Sequence, residues 1–391
     1  MKFHLTAENK KLAIKILNPF VLTRLILLWV SWFSAYFTRS ITYPLSEVVY
    51  HGFIYTHFRF IDVWARWDSG WYLSIIKQGY QPSSDLNGQS NLAFFPLYPL
   101  IIKLLASVIP IWLRSDLIII VIGLVVSNLC LLGSMWLLYQ LSLQLFHNEE
   151  VAENSLWLLL VFPAGFIFTC FYTESLFLFL SLGCVYLMNR KKFLASGLMG
   201  MLASLTRSQG ILLIIFPLWS IWILSKQRSL TKTKFGHFAI LILFICLGLL
   251  IFLGYSQLIF HNWLLPLNSQ AAWGKMLTLP WKTIFAPIKF IGFITPVDKW
   301  IAIVSLLTSI YLFKVFKNKD YVWYALASIL LPLTTGVLHS VTRYVAVIFP
   351  LYLGWAYLMK KWKIKKEWIF VSLMTIQTAL FIAWCQFYWV M

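Results

Sequence analysis

Residues 64–80 read Trp-Ala-Arg-Trp-Asp-Ser-Gly-Trp-Tyr-Leu-Ser-Ile-Ile-Lys-Gln-Gly-Tyr, which places one carboxylate, Asp68, among Trp64, Trp67, Trp71 and Tyr72. An acid set against apolar surface loses solvation, so its pKa rises and it becomes a better base near neutral pH. Trp and Tyr favour the level of lipid headgroups, with the ring in the apolar layer and the N–H or O–H in water. Asp68 is therefore the first candidate for general-base chemistry. The plainer reading is an interfacial acid paired with Arg66 or Lys77. Function is favoured because ionisable groups near membrane depth usually mark a site. Asp62 is a rival in the same stretch. Asp85 lies in Pro-Ser-Ser-Asp-Leu-Asn-Gly, a turn-rich sequence where a solvated acid is expected.

Two arginines can serve an anion. Arg343 stands beside His339, Thr342 and Tyr344, and Arg207 lies in Thr-Arg-Ser-Gln. A guanidinium offers a planar fork that matches phosphate oxygens; the competing role is an interfacial anchor. Glu174 sits between two apolar runs with almost no loop. It either orients a substrate or pairs with Arg207. Gln270 and Trp273 supply an amide and a flat ring, which suit a sugar by hydrogen bonds and stacking, though taken by themselves they fit an interfacial helix better. The chain has no Ser-His-Asp pattern, Gly-rich phosphate loop, His/Cys metal spacing or Asp-x-Asp pair. No metal and no cofactor are expected, and a metal-bound nucleotide-sugar donor is disfavoured.

The elements that must position these groups are membrane helices. Apolar residues make up 60% of the 391 residues and charged ones 12%, and runs of about 20 apolar residues recur throughout. The expected fold class is an all-α integral membrane bundle in a single domain, 1–391. The net charge of +19 does not point to nucleic acid, because the lysines and arginines fall in short loops, as the positive-inside rule expects. The five cysteines all lie in apolar runs without a Cys-x-x-Cys pair, so they read as buried apolar residues. Met1–Lys15 reads as a retained cytoplasmic segment ahead of the first span.

Spans are expected near 18–38, 117–141, 155–171, 174–189, 193–206, 208–224, 238–259, 300–316, 321–338, 342–359 and 368–388. The run 94–113 carries Pro96, Pro99, Pro110 and Lys103. If it lies in the interface, the N-terminal lysines, Arg190–Lys192, Lys226–Lys234, Lys314–Lys319 and Lys360–Lys366 share one side, which the positive-inside rule favours. About eleven spans follow, with the N-terminus inside. A large first outer loop, 39–116, then holds helices near 64–78 and 96–110 lying flat on the bilayer. The outer face also collects Glu174, Arg207, the segment 260–299 and His339–Tyr344.

These residues carry a resemblance. Trp67-Asp68-x-x-Trp71-Tyr72, Gly79-Tyr80, Ala93-Phe94-Phe95-Pro96-Leu97-Tyr98-Pro99, Tyr172-Thr173-Glu174-Ser175-Leu176-Phe177, Leu205-Thr206-Arg207-x-Gln209-Gly210, Gln270-x-x-Trp273 and Arg343-Tyr344 occur in this order. Over about residues 20–355 the chain resembles the PIG-V family, the GPI mannosyltransferase 2 enzymes, and in particular its bacterial-type members. The resemblance implies a GT-C glycosyltransferase with many spans, a large first outer loop carrying an acid, and a polyprenyl-phosphate sugar as donor. By it, Asp68 matches the loop acid and Arg343 the phosphate contact, with Arg207 beside it. Trp67, Trp71, Tyr72, Glu174, Gln270, Trp273, His339 and Tyr344 are the expected substrate-binding set. The chain departs from the eukaryotic pattern at Gly70-Trp71, where a His-Phe pair is expected, and its lean loops suit a bacterial plasma-membrane member with another acceptor.

The expected reaction is inverting transfer of a hexose, mannose by the resemblance, from a polyprenyl monophosphate to a lipid-linked or glycan acceptor on the outer face. A polytopic lipid-carrier flippase and a non-catalytic scaffold are the other classes. A flippase is expected to show repeated halves with broken helices, and no internal repeat is evident.

Overall fold

The computed structural model describes residues 7–37, 58–82, 88–286, 295–388 and 390. Asp85 and residues 39–57 of the outer loop lie outside these. Among the described residues the regular structure is helical, without strands. In chain order the helices are α1 Ala7–Phe37, α2 Arg59–Asp62, α3 Ser69–Gln78, α4 Leu97–Ser107, α5 Asp116–Phe146, α6 Glu149–Val161, α7 Glu174–Asn189 and α8 Phe193–Thr206. They continue as α9 Ile215–Lys226, α10 Lys232–Phe260, α11 Leu265–Asn268, α12 Pro280–Phe285, α13 Thr295–Leu312, α14 Asp320–Leu333, α15 Val341–Ala346, α16 Phe349–Lys361 and α17 Lys366–Cys385. A 3₁₀ segment, Ser208–Ile214, leads directly into α9.

Local chemistry sets several starts. Ser115 caps α5, its side chain accepting from the Ile118 N–H; Asn148 caps α6 through the Val151 N–H; Thr231 caps α10 through the Lys234 N–H. Each side chain satisfies a donor that the first helical turn leaves open.

Eleven of the described helices (α1, α5–α10, α13, α14, α16 and α17) run back and forth between two ends of the bundle. Five are long and apolar enough to cross a membrane: Lys10–Phe37, Asp116–Phe146, Ser208–Lys226, Lys232–Phe260 and Lys366–Cys385. The protein is a multi-pass membrane protein. The other six expected runs are shorter helices, of 13 residues (α6), 16 (α7), 14 (α8), 18 (α13), 14 (α14) and 13 (α16). At 1.5 Å per residue, fourteen residues cover about 21 Å, less than the roughly 30 Å of a hydrocarbon core.

Where they stop is informative. The run expected at 155–171 becomes α6 followed by the buried irregular stretch 162–173, and the run expected at 342–359 is broken into α15 and α16, with Pro350 at the start of α16. Irregular backbone at such depth requires protein or a cavity around it rather than lipid. The shortened helices end where the polar residues gather.

The bundle is tight where helices cross. A Cβ on Gly248 of α10 would lie 2.2 Å from the Met201 carbonyl of α8. One end of the bundle holds the basic clusters at Lys10–Lys15, Arg190–Lys192, Lys226–Lys234, Lys314–Lys319 and Lys360–Lys366. Lys15 pairs with Glu149 and with Glu153, the latter at 2.8 Å, and Lys360 pairs with Glu150 at 3.5 Å. The opposite end carries α2–α4, α11, α12, α15 and the loop 162–173. Helix α4 packs Tyr98, Ile102 and Ala106 inward and exposes Leu100, Leu104 and Leu105.

Candidate functional site

The helix expected at 64–78 is not continuous. Trp67 takes φ = 53°, a left-handed value uncommon for a bulky residue, and this separates α2 from α3. Backbone in that region costs about 1–3 kcal/mol and persists only where the surroundings hold it. They do so here: the Asp68 N–H donates to the Tyr172 hydroxyl at 3.1 Å, and that hydroxyl donates to the Arg66 carbonyl at 2.8 Å. The Phe171 N–H also donates to the Trp64 carbonyl at 2.9 Å. The kink delivers Asp68 to the N-cap of α3, where its side chain meets Arg343.

There the four charged candidates form one network. Arg343 donates from Nη1 to Asp68 Oδ2 at 2.7 Å and from Nε to Glu174 Oε1 at 2.8 Å. Arg207 donates from Nη1 to the same Glu174 oxygen at 2.6 Å and to the Thr173 hydroxyl at 3.1 Å. The Arg343 guanidinium also lies 4.6 Å from the centre of the Tyr172 ring. Glu174 is fully buried, while the Asp68 side chain keeps 26% exposure. Asp68 Oδ1 has no protein partner among the described residues. Glu174 thus takes the pairing role weighed for it, between two arginines. A buried carboxylate persists only when its charge is compensated in this way.

This alters what Arg343 can offer a phosphate. Nε and Nη1 are committed to carboxylates, so the two-pronged grip expected from sequence is not free; Nη2 has no hydrogen bond to a described residue. Asp62 is 1% exposed, so it cannot meet a substrate hydroxyl without movement.

The aromatic candidates build the wall beside Asp68. Trp71 stacks on Phe94 at 5.9 Å, and Trp273 meets both edge-on, at 5.9 Å and 5.7 Å. Tyr72 reaches the Thr173 hydroxyl at 3.5 Å. Burial pushes the Tyr72 hydroxyl up, and Glu174 and Asp68 add to this, so it stays protonated as a donor. Gln270 is committed at both ends of its amide: Nε2 donates to the Ala93 carbonyl at 2.7 Å, and Oε1 accepts from Lys275 at 2.7 Å. It ties the segment 269–275 to the Phe94 wall instead of presenting a free amide to a sugar.

Tyr344, on the six-residue α15 ahead of α16, lies over the Arg207 guanidinium at 5.0 Å. Its hydroxyl is drawn below the usual tyrosine range, first by Lys275, against the effect of burial and with help from Arg207 and Arg343. His339 sits in the turn before α15, and burial lowers its pKa, keeping the imidazole neutral at neutral pH.

Three contributors were not singled out from sequence. Thr173 bridges Arg207 and Tyr72. Lys275 closes the cup beside Tyr344. Asp298, at the start of α13, accepts from the Thr342 N–H at 2.7 Å and the Thr342 hydroxyl at 2.6 Å, and so anchors α15, the helix that bears Arg343. A Thr-Glu pair at a span end offered a signal for Thr173. Nothing local marks Lys275 or Asp298, whose roles rest on distant partners. Among the described residues no group of three or more His, Cys, Asp or Glu side chains could hold a metal.

Comparison with known proteins fits this architecture. The family model described as Mannosyltransferase (PIG-V) matches residues 14–275. That range holds Asp68, Glu174, Arg207, Gln270, Trp273 and Lys275; His339, Arg343 and Tyr344 lie beyond it. The chain is similar to GPI mannosyltransferase 2 of Drosophila pseudoobscura pseudoobscura, 27% identical over 163 residues, covering 39% of this chain and 34% of that protein. It is also similar to GPI alpha-1,6-mannosyltransferase 2 of Mus musculus, 29% identical over 168 residues, covering 40% and 31%. The match spans about a third of these relatives' length. Among solved structures, the archaeal oligosaccharyltransferase AglB from Archaeoglobus fulgidus, in complex with an inhibitory peptide and a dolichol-phosphate, superposes with TM-score 0.52 at 12% identity, over 95% of this chain and 56% of that one. The likeness is one of fold: the chain has the GT-C architecture.

Proposed function

The chain belongs to the mannosyltransferase (PIG-V) family, and from that membership we propose that it is a membrane glycosyltransferase moving a hexose, mannose first, from a polyprenyl-phosphate donor to a lipid-linked or glycan acceptor. The observation that carries this reading is the state of Asp68. One oxygen is locked by Arg343 at 2.7 Å, and the other is open at the mouth of an aromatic cup. The lock fixes the carboxylate's orientation, and the open Oδ1 accepts the proton of the acceptor hydroxyl. The hydroxyl oxygen attacks the anomeric carbon as the bond to the phosphate oxygen breaks, and the electron pair leaves with the phosphate. Attack from the face opposite the phosphate inverts the centre, through a transition state of oxocarbenium character.

Preset cations lower the barrier by meeting charge as it develops on the leaving group. Arg343, through Nη2, and Arg207 line that side of the cup. Trp71, Trp273 and Tyr72 supply ring faces and a hydroxyl for the sugar and acceptor. The mechanism calls on no metal or cofactor. The basic clusters gather at the end of the bundle away from the site, so by the positive-inside rule the N-terminus is cytoplasmic and the cup opens on the outer face of the membrane. The printed names of the relatives support a mannosyl donor. The Gly70-Trp71 pair favours an acceptor other than the GPI glycan.

The test is transfer by purified protein in lipid, with labelled polyprenyl-phosphate mannose and a set of glycolipid and glycan acceptors. A product whose anomeric configuration is opposite to the donor's is expected. Movement of donor across the bilayer without transfer would favour a carrier, and a product that retains configuration would exclude direct displacement.

A further inference from the structure

We infer that Lys275, through its ammonium beside Tyr344, adds to Arg343 and Arg207 the surplus positive charge that meets the phosphate of the lipid carrier, and that its contribution grows as the sugar leaves. The inference rests on the transferase reading and adds to it which group carries the counter-charge. The network at the base of the cup is electrically closed: Asp68 and Glu174 are balanced by Arg343 and Arg207, all within 2.6–2.8 Å contacts. A phosphodiester brought to that network meets no surplus positive charge.

Lys275 supplies one. Its ammonium touches only neutral groups, donating to Gln270 Oε1 at 2.7 Å and to the Tyr344 hydroxyl at 3.5 Å. Among the described residues no carboxylate lies within ion-pair distance of it. The side chain is half-buried, so it is neither screened like a surface lysine nor compensated like a core one. Gln270, fixed to the Ala93 carbonyl, holds the ammonium in place. Tyr344 then joins Lys275 to the Arg207 side of the network, its ring lying 5.0 Å from the Arg207 guanidinium.

The chemistry fits an ammonium. The donor is a phosphodiester with a single negative charge. When the bond between the anomeric carbon and the phosphate oxygen breaks, the electron pair stays on that oxygen. The carrier becomes a monoester bearing close to two negative charges, its second pKa lying near 6. The acceptor's proton is meanwhile on Asp68. An extra cation at the phosphate is therefore worth more in the transition state than in the ground state, the condition for raising turnover rather than affinity alone.

Two measurements test this, on the full-length protein in lipid. In the transfer assay, Lys275→Gln is expected to lower turnover by about 10- to 100-fold, the range for a charge-assisted hydrogen bond, with a smaller change in the donor's apparent KM. Lys275→Arg is expected to keep most of the activity. In a melting experiment, polyprenyl phosphate should stabilise the wild type more than polyprenol does, and inorganic phosphate at the same concentration should not match it. Lys275→Gln should lose the preference for the phosphorylated lipid, and Lys275→Arg should retain it. If the wild type transfers sugar and Lys275→Gln does so equally well, or keeps the lipid-phosphate preference, the assignment of Lys275 is overturned while the transferase reading stands. If inorganic phosphate stabilises the wild type as well as the lipid phosphate does, the ammonium is an anion site unrelated to the carrier. A wild type that neither transfers nor distinguishes phosphate from alcohol overturns the transferase reading along with the inference.

Discussion

Glu174 is the residue on which the site is assembled, because two guanidiniums converge on a single one of its oxygens, at 2.6 and 2.8 Å, in a fully buried setting. Glu174→Gln keeps the shape and removes the charge, leaving Arg207 without a carboxylate partner and Arg343 with Asp68 alone. Removing one partner of a buried ionic cluster costs about 3–5 kcal/mol, so this variant should melt markedly lower in detergent than wild type. A double-mutant cycle with Arg207→Met should show strong coupling; additive effects would mean that the pair is independent. Arg343→Ala should cut turnover by about 10- to 100-fold through loss of a charged donor. Arg343→Lys should recover only part of this, because one ammonium cannot hold Asp68 and Glu174 in the same planar arrangement. Equal rates for all three proteins would reduce Arg343 to an anchor. Each of the four charged residues was legible one by one in the sequence, as charge out of place in an apolar chain. Their convergence was not, since Asp68 and Arg343 are 275 residues apart, and the free phosphate grip expected of Arg343 gave way to ion pairs.

Short elements aim these residues, and sequence reads short elements least well. The apolar period around 64–78 suggested one helix; the left-handed backbone at Trp67 breaks it, because Phe171 and Tyr172 supply bonds from outside the segment. The same holds for the break at 347–348, which frees α15 to carry Arg343 on its own axis. Asp298 is the tether for that axis. Asp298→Ala should lower transfer by at least about tenfold, since two hydrogen bonds to a buried carboxyl oxygen are lost, with the donor's apparent affinity changing along with turnover; activity at the wild-type level would show that α15 holds its place unaided. Gly210 is the corresponding close approach behind Arg207. A Cβ there would come within 2.5 Å of the Ser204 backbone, and overpacking of this kind costs about 1–3 kcal/mol. Gly210→Ala should therefore lower both the melting temperature and transfer; an unchanged protein would mean that the 3₁₀ segment can slide without moving Arg207.

At the scale of the whole molecule, alternation of helix direction separates a basic end from the end that holds the network of Asp68, Arg343, Glu174 and Arg207, and the basic clusters were legible because charge at span ends is a local signal. Helix lengths were not: hydropathy finds an apolar run but does not show that the helix stops short and continues as a buried non-α-helical stretch, as at 162–173. Single cysteines placed at exposed Lys191 and at exposed Gln81 should react with impermeant reagents from opposite sides, Lys191→Cys from inside and Gln81→Cys from outside; labelling of both from one side would invert or break the proposed topology. The bundle as a whole is proposed to bring a lipid-borne donor and an acceptor hydroxyl to the open oxygen of Asp68. The most direct test is the rate of sugar transfer by reconstituted Asp68→Asn protein, measured against wild type at matched, folded concentration. Asn keeps the hydrogen bond from Arg343 but cannot take a proton, so the rate should fall by about 10²–10⁴, the range for a lost general base, with the melting temperature near that of wild type. A correctly folded Asp68→Asn protein that transfers sugar at the wild-type rate would contradict the account.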